Sequence, residues 1–165
     1  MALTIRPLTV DDDLGSFGRI VLAAYLALPG HPREHGYDAE LVDVAGRVGQ
    51  STVLGAFDGV TPVGCVTYVA DQASPHAENL LDGEASFRML AVCSAGQRRG
   101  IGEALVQRCV ERARADRRAG VFIYSGDWMT AAHRLYGRLG FVRVTDRDWV
   151  LHDPPIRLLG FRFAL

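Results

Sequence analysis

The sequence predicts an α/β protein made of a single domain over residues 1–165, with helices packed on a central sheet. Short apolar runs typical of strands alternate with longer segments whose apolar residues recur every three or four positions, as in amphipathic helices. A chain of 165 residues with 48% hydrophobic and 22% charged residues suits one folded domain with a sizeable core. We see no internal repeat or linker that would divide it.

The first half of the chain contains the pattern of one strand, two helices and a hairpin. The acidic run at 11–13 suits the positive end of a helix dipole, and Asp58-Gly59 is a hairpin turn between two apolar runs. The predicted elements are a strand over 3–8, helices over about 14–28 and 38–50, and strands over 52–57 and 63–70.

The second half alternates strands with two longer helices. Gly120 and Gly140 stand where helix ends are expected, and Thr130 is an expected N-cap. The predicted elements are a strand over 87–93, a helix from Ile101 to about Gly120, a strand over 121–125, a helix from Thr130 to Gly140, and two last strands over 141–151 and 156–165.

The turn between the strand over 87–93 and the next helix has the features of an anion site. The first amides of a helix have no partner within the helix, and the macrodipole adds partial positive charge there. Gly100 and Gly102 carry no side chain that would keep a phosphate from those amides, and Arg98 and Arg99 add full charge. These features predict a phosphate-bearing ligand, with a pyrophosphate as the best fit.

Two common nucleotide motifs fit this turn poorly. A P-loop ends in Gly-Lys-Ser/Thr, but the sequence contains no lysine. A dinucleotide fingerprint needs a third glycine three positions after the second, where this chain has Leu105. Glycines are also common at helix starts, so the turn alone leaves the phosphate interpretation and a plain structural one equally open.

Two motifs in the right order resemble the GNAT superfamily of N-acetyltransferases. Gln97-Arg-Arg-Gly-Ile-Gly102 after Met89-Leu-Ala-Val92 looks like the acyl-CoA motif of that family. Thr130-Ala-Ala-His-Arg-Leu-Tyr136-Gly-Arg-Leu-Gly-Phe141 resembles its later helix, with a tyrosine and a Leu-Gly-Phe exit. The resemblance covers residues 84–141.

The resemblance implies a GNAT fold, in which a mixed, mostly antiparallel sheet of about seven strands has helices on both faces and a splayed central parallel pair. It also implies acetyl-CoA as co-substrate, with the pantetheine arm in that gap and the acetyl group passed directly to an amine. The residues that it assigns to the cofactor are Leu90, Ala91, Val92, Gln97, Arg98, Arg99, Gly100, Ile101 and Gly102.

Tyr136 and Glu84 are the expected catalytic residues. Tyr136 matches the family tyrosine that protonates the leaving thiolate, although a buried core tyrosine is the alternative. Family members with a glutamate base place it at the position of Ser86. Glu84 lies two residues earlier on the same strand face, so it either takes the proton through a water or only caps the strand edge.

The resemblance implies an acceptor that is a primary amine of a small molecule or peptide, bound near 25–37 and 146–155 with Trp128 and Trp149 as aromatic walls. The missing glutamate at Ser86 motivates the alternative of a non-catalytic acyl-CoA sensor of the same fold. Analogy also allows a homodimer through the last strands. The net charge of −1 predicts no nucleic-acid partner, and with no long apolar run we expect a cytoplasmic protein without membrane contact.

The three cysteines and the pair of histidines before the second predicted helix are interpreted as structural. Cys65, Cys93 and Cys109 lie in apolar runs, which is typical of reduced, packed thiols, with Cys93 as a minor nucleophile alternative. His31 and His35 are four residues apart, but the surrounding Pro and Gly argue against a helix and no third ligand is near. We therefore expect no metal site.

Overall fold

The computed structural model describes residues 2–32 and 36–165 of the chain. Its helices and strands follow the predicted order. They are β1 (Leu3–Pro7), α1 (Leu14–Leu26), α2 (Tyr37–Val42), α3 (Val44–Val48), β2 (Thr52–Asp58), β3 (Thr61–Val69), β4 (Glu84–Val92), α4 (Ile101–Ala115), β5 (Gly120–Gly126), α5 (Thr130–Leu139), β6 (Val142–Arg143), β7 (Trp149–Leu151) and β8 (Ile156–Ala164).

The strands form one sheet in the order β1-β2-β3-β4-β5-β8-β6, with β7 also paired to β8. Every pairing is antiparallel except that of β4 with β5. This parallel pair is the centre of the sheet, and the helix α4 connects its two strands, as parallel strands require. The fold is therefore the mixed, mostly antiparallel sheet with flanking helices that the resemblance implied.

Three local predictions were wrong. The helix expected over 38–50 is two short helices, because the Asp43 backbone leaves the helical region and its carboxylate instead caps α3 by accepting from the Gly46 amide at 2.9 Å. The strand expected over 141–151 is interrupted by a single 3-10 turn at Thr145–Arg147. Met129, not Thr130, occupies the N-cap position of α5.

Hydrophobic residues cover both faces of the sheet. One cluster packs the strands against α4 and α5, and its fully buried members include Leu105, Val106 and Cys109 of α4. A second cluster packs the other face against the N-terminal helices, around Phe17, Val21 and Leu41. The sheet is thus the middle layer of three, which fixes the two central strands between helices on both sides.

A β-bulge in β4 shifts which residues face each cluster. Cys65 pairs with Ala91 and Thr67 pairs with Arg88, so three steps along β4 match two steps along β3, and Met89 has a φ of 55°. Ala85 and Phe87 accordingly belong to the cluster under α4, whereas Met89 and Ala91 belong to the opposite one. After the bulge, the side chains of β4 that would face α4 in a regular strand face the opposite side of the sheet.

The two parallel strands separate soon after they begin. In the part of the chain that the structure describes, β4 and β5 pair only at Glu84–Gly120 and Ala85–Val121. Beyond that point β5 is paired on its other side, to β8, along its whole length. Residues 86–92 of β4 therefore face a gap on the side of β5, which is the splayed central pair that the resemblance implied.

Candidate functional site

The gap between β4 and β5 contains a cavity of about 470 Å³ that passes from one face of the sheet to the other. Its walls are mostly aromatic and aliphatic, as is usual for sites that bind small molecules. On the side of α1 and α2 the wall includes Tyr25, Tyr37, Arg88 and Tyr124, and on the side of α5 it includes Phe87, Ser125, Met129, Ala132 and Tyr136.

The end of β4 presents free backbone groups to this gap. The Cys93 amide donates to the Val63 carbonyl at 2.8 Å, which makes these two residues a hydrogen-bonded antiparallel pair. Hydrogen-bonding direction alternates along a strand, so the amide and carbonyl of Val92 point away from β3 and into the gap, and those of Leu90 do the same. A linear ligand in the gap can bond to them as a neighbouring strand would.

The loop after β4 leads to an open helix N-terminus. Gly100 is the N-cap of α4 with φ 76°, and no side chain caps the helix there. A Cβ added to Gly100 would contact nothing within 4 Å, and one added to Gly102 would lie 3.7 Å from Leu135 and 3.8 Å from Val92. The first amides of a 15-residue helix are thus uncovered, in the arrangement that binds phosphate elsewhere.

The two arginines of this loop are placed differently. Arg99 pairs with Asp58 at 3.1 Å, which fixes it against the β2–β3 hairpin. Arg98 has φ 62°, so the chain turns in the left-handed region both there and at Gly100. Gln97, Arg98, Arg99 and Gly100 are all exposed, whereas Ile101 is buried and anchors the helix start in the core.

Tyr136 is buried among aromatic rings at the wall of the cavity. Its ring centroid lies 5.9 Å from that of Phe87, and 5.7 Å from those of Phe141 and Phe161. Burial, with a smaller contribution from Cys109, raises the pKa of the Tyr136 hydroxyl well above its usual value. Within the described chain this hydroxyl bonds to no side chain or backbone group, so it is a proton-bearing group available to a ligand.

Glu84 lies outside the cavity and is already engaged. Its carboxylate accepts from Arg147 at 2.8 and 2.9 Å, from Arg162 at 3.1 Å and from the Leu81 amide at 3.0 Å. Burial alone would raise the pKa of Glu84, but the hydrogen bonds from Arg147, Leu81 and Arg162 outweigh it and lower that pKa. A lowered pKa makes a carboxylate a weaker base, so these contacts favour a structural role for Glu84 over that of the expected base.

Trp128 forms a wall of the cavity because two glycines let it pack closely. A Cβ on Gly126 would approach the indole ring to 2.6 Å, and one on Gly30 would approach the Trp128 Cβ to 2.9 Å. Of the two tryptophans expected as aromatic walls, only Trp128 lines the cavity, while Trp149 packs on Tyr124 with ring centroids 5.8 Å apart.

The side of the cavity toward α1 and α2 carries both positive and negative side chains. Arg88 pairs with Glu78 at 3.1 Å, and His31 Nε2 lies 3.3 Å from Asp38 Oδ1.

His35 of the expected histidine pair lies outside the described residues, and no three metal-ligating side chains come together over 2–32 and 36–165. None of the helices in that part of the chain is both long and apolar enough to span a bilayer.

Ser125 of the cavity wall pairs with His133 behind it, which the sequence did not suggest. Ser125 Oγ lies 3.1 Å from His133 Nε2 and 3.6 Å from the sulfur of Met129. The residues lie eight apart on a strand and a helix, so no spacing rule connects them before the fold is known. Arg88 was missed for a similar reason, because a charged residue in an apolar strand run does not show which face it occupies.

A splayed parallel pair with a cavity in the gap and an open helix N-terminus beside it defines a class of acyl-CoA-binding transferases. The model of the acetyltransferase (GNAT) domain matches residues 49–143, which is more than half of the chain. The chain therefore belongs to the GNAT acetyltransferase family. No curated protein matches it in sequence.

Solved structures with this fold are similar over almost the whole chain. A putative acetyltransferase from Salmonella typhimurium, solved with acetyl-CoA, has a TM-score of 0.71 at 20% identity and covers 100% of this chain and 95% of that one. Ribosomal-protein-alanine N-acetyltransferase from Brucella melitensis gives 0.72 at 19% identity, with 98% and 99% covered. A chain of the NatC complex bound to Gag peptide and CoA gives 0.65 at 20% identity, with 100% and 99% covered.

Proposed function

We propose that the protein is an acetyl-CoA-dependent N-acetyltransferase that passes the acetyl group directly to a primary amine of a small molecule or peptide. The observation that carries this proposal is the position of the cavity. It lies in the gap between β4 and β5, and its lining extends from Tyr25 and Tyr37 beside the N-terminal helices to Tyr136 on the α5 side. Both substrates can therefore meet inside the sheet from opposite faces.

In this proposal the cofactor lies along the end of β4 and on the following loop. The free backbone groups of Leu90 and Val92 hold the pantetheine arm, and Ala91 between them fixes the register by pairing with Cys65. The amides from Gln97 to Gly102 bind the pyrophosphate, with Arg98 adding charge and Arg99 held by Asp58. Solved relatives of this fold were obtained with acetyl-CoA or CoA, which supports the same cofactor here.

The chemistry requires a neutral amine, a polarised thioester carbonyl and a protonated leaving thiolate. In this proposal a backbone amide of β4 near Leu90 to Val92 polarises the carbonyl, and Tyr136 donates the proton to the sulfur. Positioning the two substrates in line supplies much of the rate, so few side chains need be indispensable. The mixed charge around Arg88 and Glu78 agrees with an acceptor that carries polar groups of its own.

The alternative function is a non-catalytic acyl-CoA sensor. It is motivated by Ser86 at the usual position of the base, together with the engagement of Glu84 by Arg147 and Arg162. Release of CoA thiol from acetyl-CoA across a panel of amines distinguishes the two functions, with mass spectrometry of the products. Acetylated amine supports the transferase, while acetyl-CoA binding without turnover on any amine supports the sensor.

A further inference from the structure

We propose that Ser125 and His133 carry the proton that the acceptor amine loses out of the cavity, a role that rests on the proposed acetyl transfer. An amine is an ammonium ion in neutral water and must lose a proton before it can attack a thioester. With Glu84 engaged elsewhere and serine at position 86, the family's usual carboxylate is not there to accept it. The cavity therefore needs another proton acceptor.

Ser125 is in the right place to receive the proton. It is 4% exposed, lines the cavity at the point where β4 and β5 have separated, and shares the face of β5 that packs against α5. Its hydroxyl is within hydrogen-bonding distance of His133 Nε2, at 3.1 Å. A hydroxyl can accept a proton from the cavity while it donates its own to the imidazole, so it connects the two.

His133 is suited to hold the proton and then release it. Burial and the charge of Arg143 lower the pKa of His133, while the Gly126 carbonyl and Asp127 oppose them, and the net shift is downward. The lowered pKa favours the neutral imidazole, and its Nε2 faces the Ser125 hydroxyl that would give it the proton. His133 is half-buried and its ring packs on Phe161, with centroids 5.1 Å apart, so it lies between Ser125 of the cavity wall and solvent.

Other titratable groups of the cavity are less suitable. Glu78 is paired with Arg88, and His31 faces Asp38. Glu40, His152 and Asp153 are exposed residues of the cavity wall, where water competes for their protons. Among these residues Ser125 and His133 alone combine a buried hydroxyl with an exit to solvent.

Each proton that leaves the amine has an acceptor in this scheme. The ammonium gives one proton to the Ser125 oxygen, directly or through one water, as the Ser125 proton moves to His133 Nε2, and His133 then releases it to solvent. The neutral amine attacks the thioester carbon, a C–N bond forms and the C–S bond breaks. Tyr136 gives a proton to the thiolate, the second nitrogen proton leaves to solvent, and Tyr136 regains its proton from there.

The test compares pH profiles of kcat/KM for the parent protein, His133→Gln and Ser125→Ala, with the best acceptor of the amine panel. At pH 7 we expect each variant to lose about 100-fold, within the range of general base catalysis. The loss should shrink toward high pH, because the amine then arrives already neutral. Ser125→Thr, which keeps the hydroxyl, should restore most of the rate, and imidazole in solution should partly rescue His133→Ala.

The chain offers a matched control in a second pair of the same kind. Ser51 Oγ lies 2.7 Å from His76 Nδ1, and neither residue lines the cavity. His76→Gln should leave the pH profile unchanged. If the parent protein is active and His133→Gln and Ser125→Ala keep the parental profile, the relay is wrong while acetyl transfer stands. If the parent binds acetyl-CoA but acetylates no amine, both proposals are wrong.

Discussion

Glu84 Oε1 lies 2.8 Å from Arg147 Nη1, and this ion pair joins the start of β4 to the turn before β7. The Arg147 guanidinium also stacks over the Phe122 ring of β5, 3.4 Å from its centroid. Arg147 thus contacts both β4 and β5 near the end of the sheet where these strands still pair. Glu84 thus lies where the two strands still pair, and it is not among the residues that line the cavity.

Glu84→Gln should destabilise the fold by about 2 kcal/mol, because the hydrogen bonds from Arg147 and Arg162 lose their ionic partner in a side chain that is only 4% exposed. For a chain of this size that lowers Tm by about 5 °C, which calorimetry measures directly. Glu111→Gln on the exposed face of α4 is the control and should change Tm very little.

The same carboxylate makes part of the stability depend on pH. Its pKa is lower in the folded chain than the ordinary 4.5, so its contribution is fully present above that value. It is lost as pH falls below 4.5 and through the folded pKa. Denaturant titrations from pH 7 down to pH 3 should show a smaller loss of unfolding free energy for Glu84→Gln than for the parent. An equal loss of unfolding free energy in both proteins over this pH range would contradict the prediction.

Tyr136→Phe should reduce kcat far more than it weakens acetyl-CoA binding. The ring keeps its contacts with Phe87, Phe141 and Phe161, so the change removes only the hydroxyl proton that the thiolate receives. A loss of about 10- to 100-fold in kcat is expected for removal of a general acid. Tyr68→Phe, whose hydroxyl bonds to Asp116 at 2.7 Å outside the cavity, is the matched control. Unchanged turnover in Tyr136→Phe would leave the tyrosine a core residue.

Gly102→Val should weaken CoA binding without unfolding the protein. Its Cβ meets only ordinary contacts at 3.7 and 3.8 Å, but the added methyl groups stand in front of the helix amides. We expect at least about a tenfold rise in Kd by calorimetry, on the order of one charge-assisted hydrogen bond lost. Gly15→Val is the matched control, since Gly15 is likewise the second residue of its helix. Equal CoA affinity in both variants would place the diphosphate elsewhere.

Cys93 should be the thiol that alkylating reagents reach first. Burial raises the pKa of Cys65 to about 12 and raises that of Cys109 further, so both stay protonated and shielded at pH 8, whereas Cys93 is half-buried at the end of β4. Mass spectrometry after brief iodoacetamide treatment should find one label, and bound CoA should slow it. Cys93→Ser should keep full turnover, because direct transfer needs no acyl-enzyme. An inactive variant with parental Tm would support a thiol nucleophile instead.

The sequence predicted the fold well because its two motifs lie on local, contiguous elements. Gly100 and Gly102 stand beside the helix start that they serve, and Tyr136 lies on a strongly periodic helix, so their positions follow from short-range patterns. Residues whose surroundings depend on distant strands could not be predicted in this way. Glu84 shows this, since its partners Arg147 and Arg162 are 63 and 78 residues away.

The bulge in β4 explains a second limit. A regular strand would place Phe87, Met89 and Ala91 on one face, and their alternation with Arg88 and Leu90 looks regular in the sequence. The extra residue at Met89 reverses the faces after Arg88, and nothing in the local pattern shows it because a non-glycine residue adopts the positive φ. The face on which Met89 and Ala91 lie therefore became apparent only in the structure.

The short pairing of β4 with β5 leaves the two halves of the sheet weakly connected through their backbones. Over residues 2–32 and 36–165, two residue pairs join the first four strands to the last four across this seam. A molecule bonded along Leu90 and Val92 would act as a substitute strand and lend its binding energy to cohesion of the two halves. Amide hydrogen exchange in β4 and β5 should then slow as ligand concentration rises. The exchange rate would therefore measure the fraction of protein that has ligand bound.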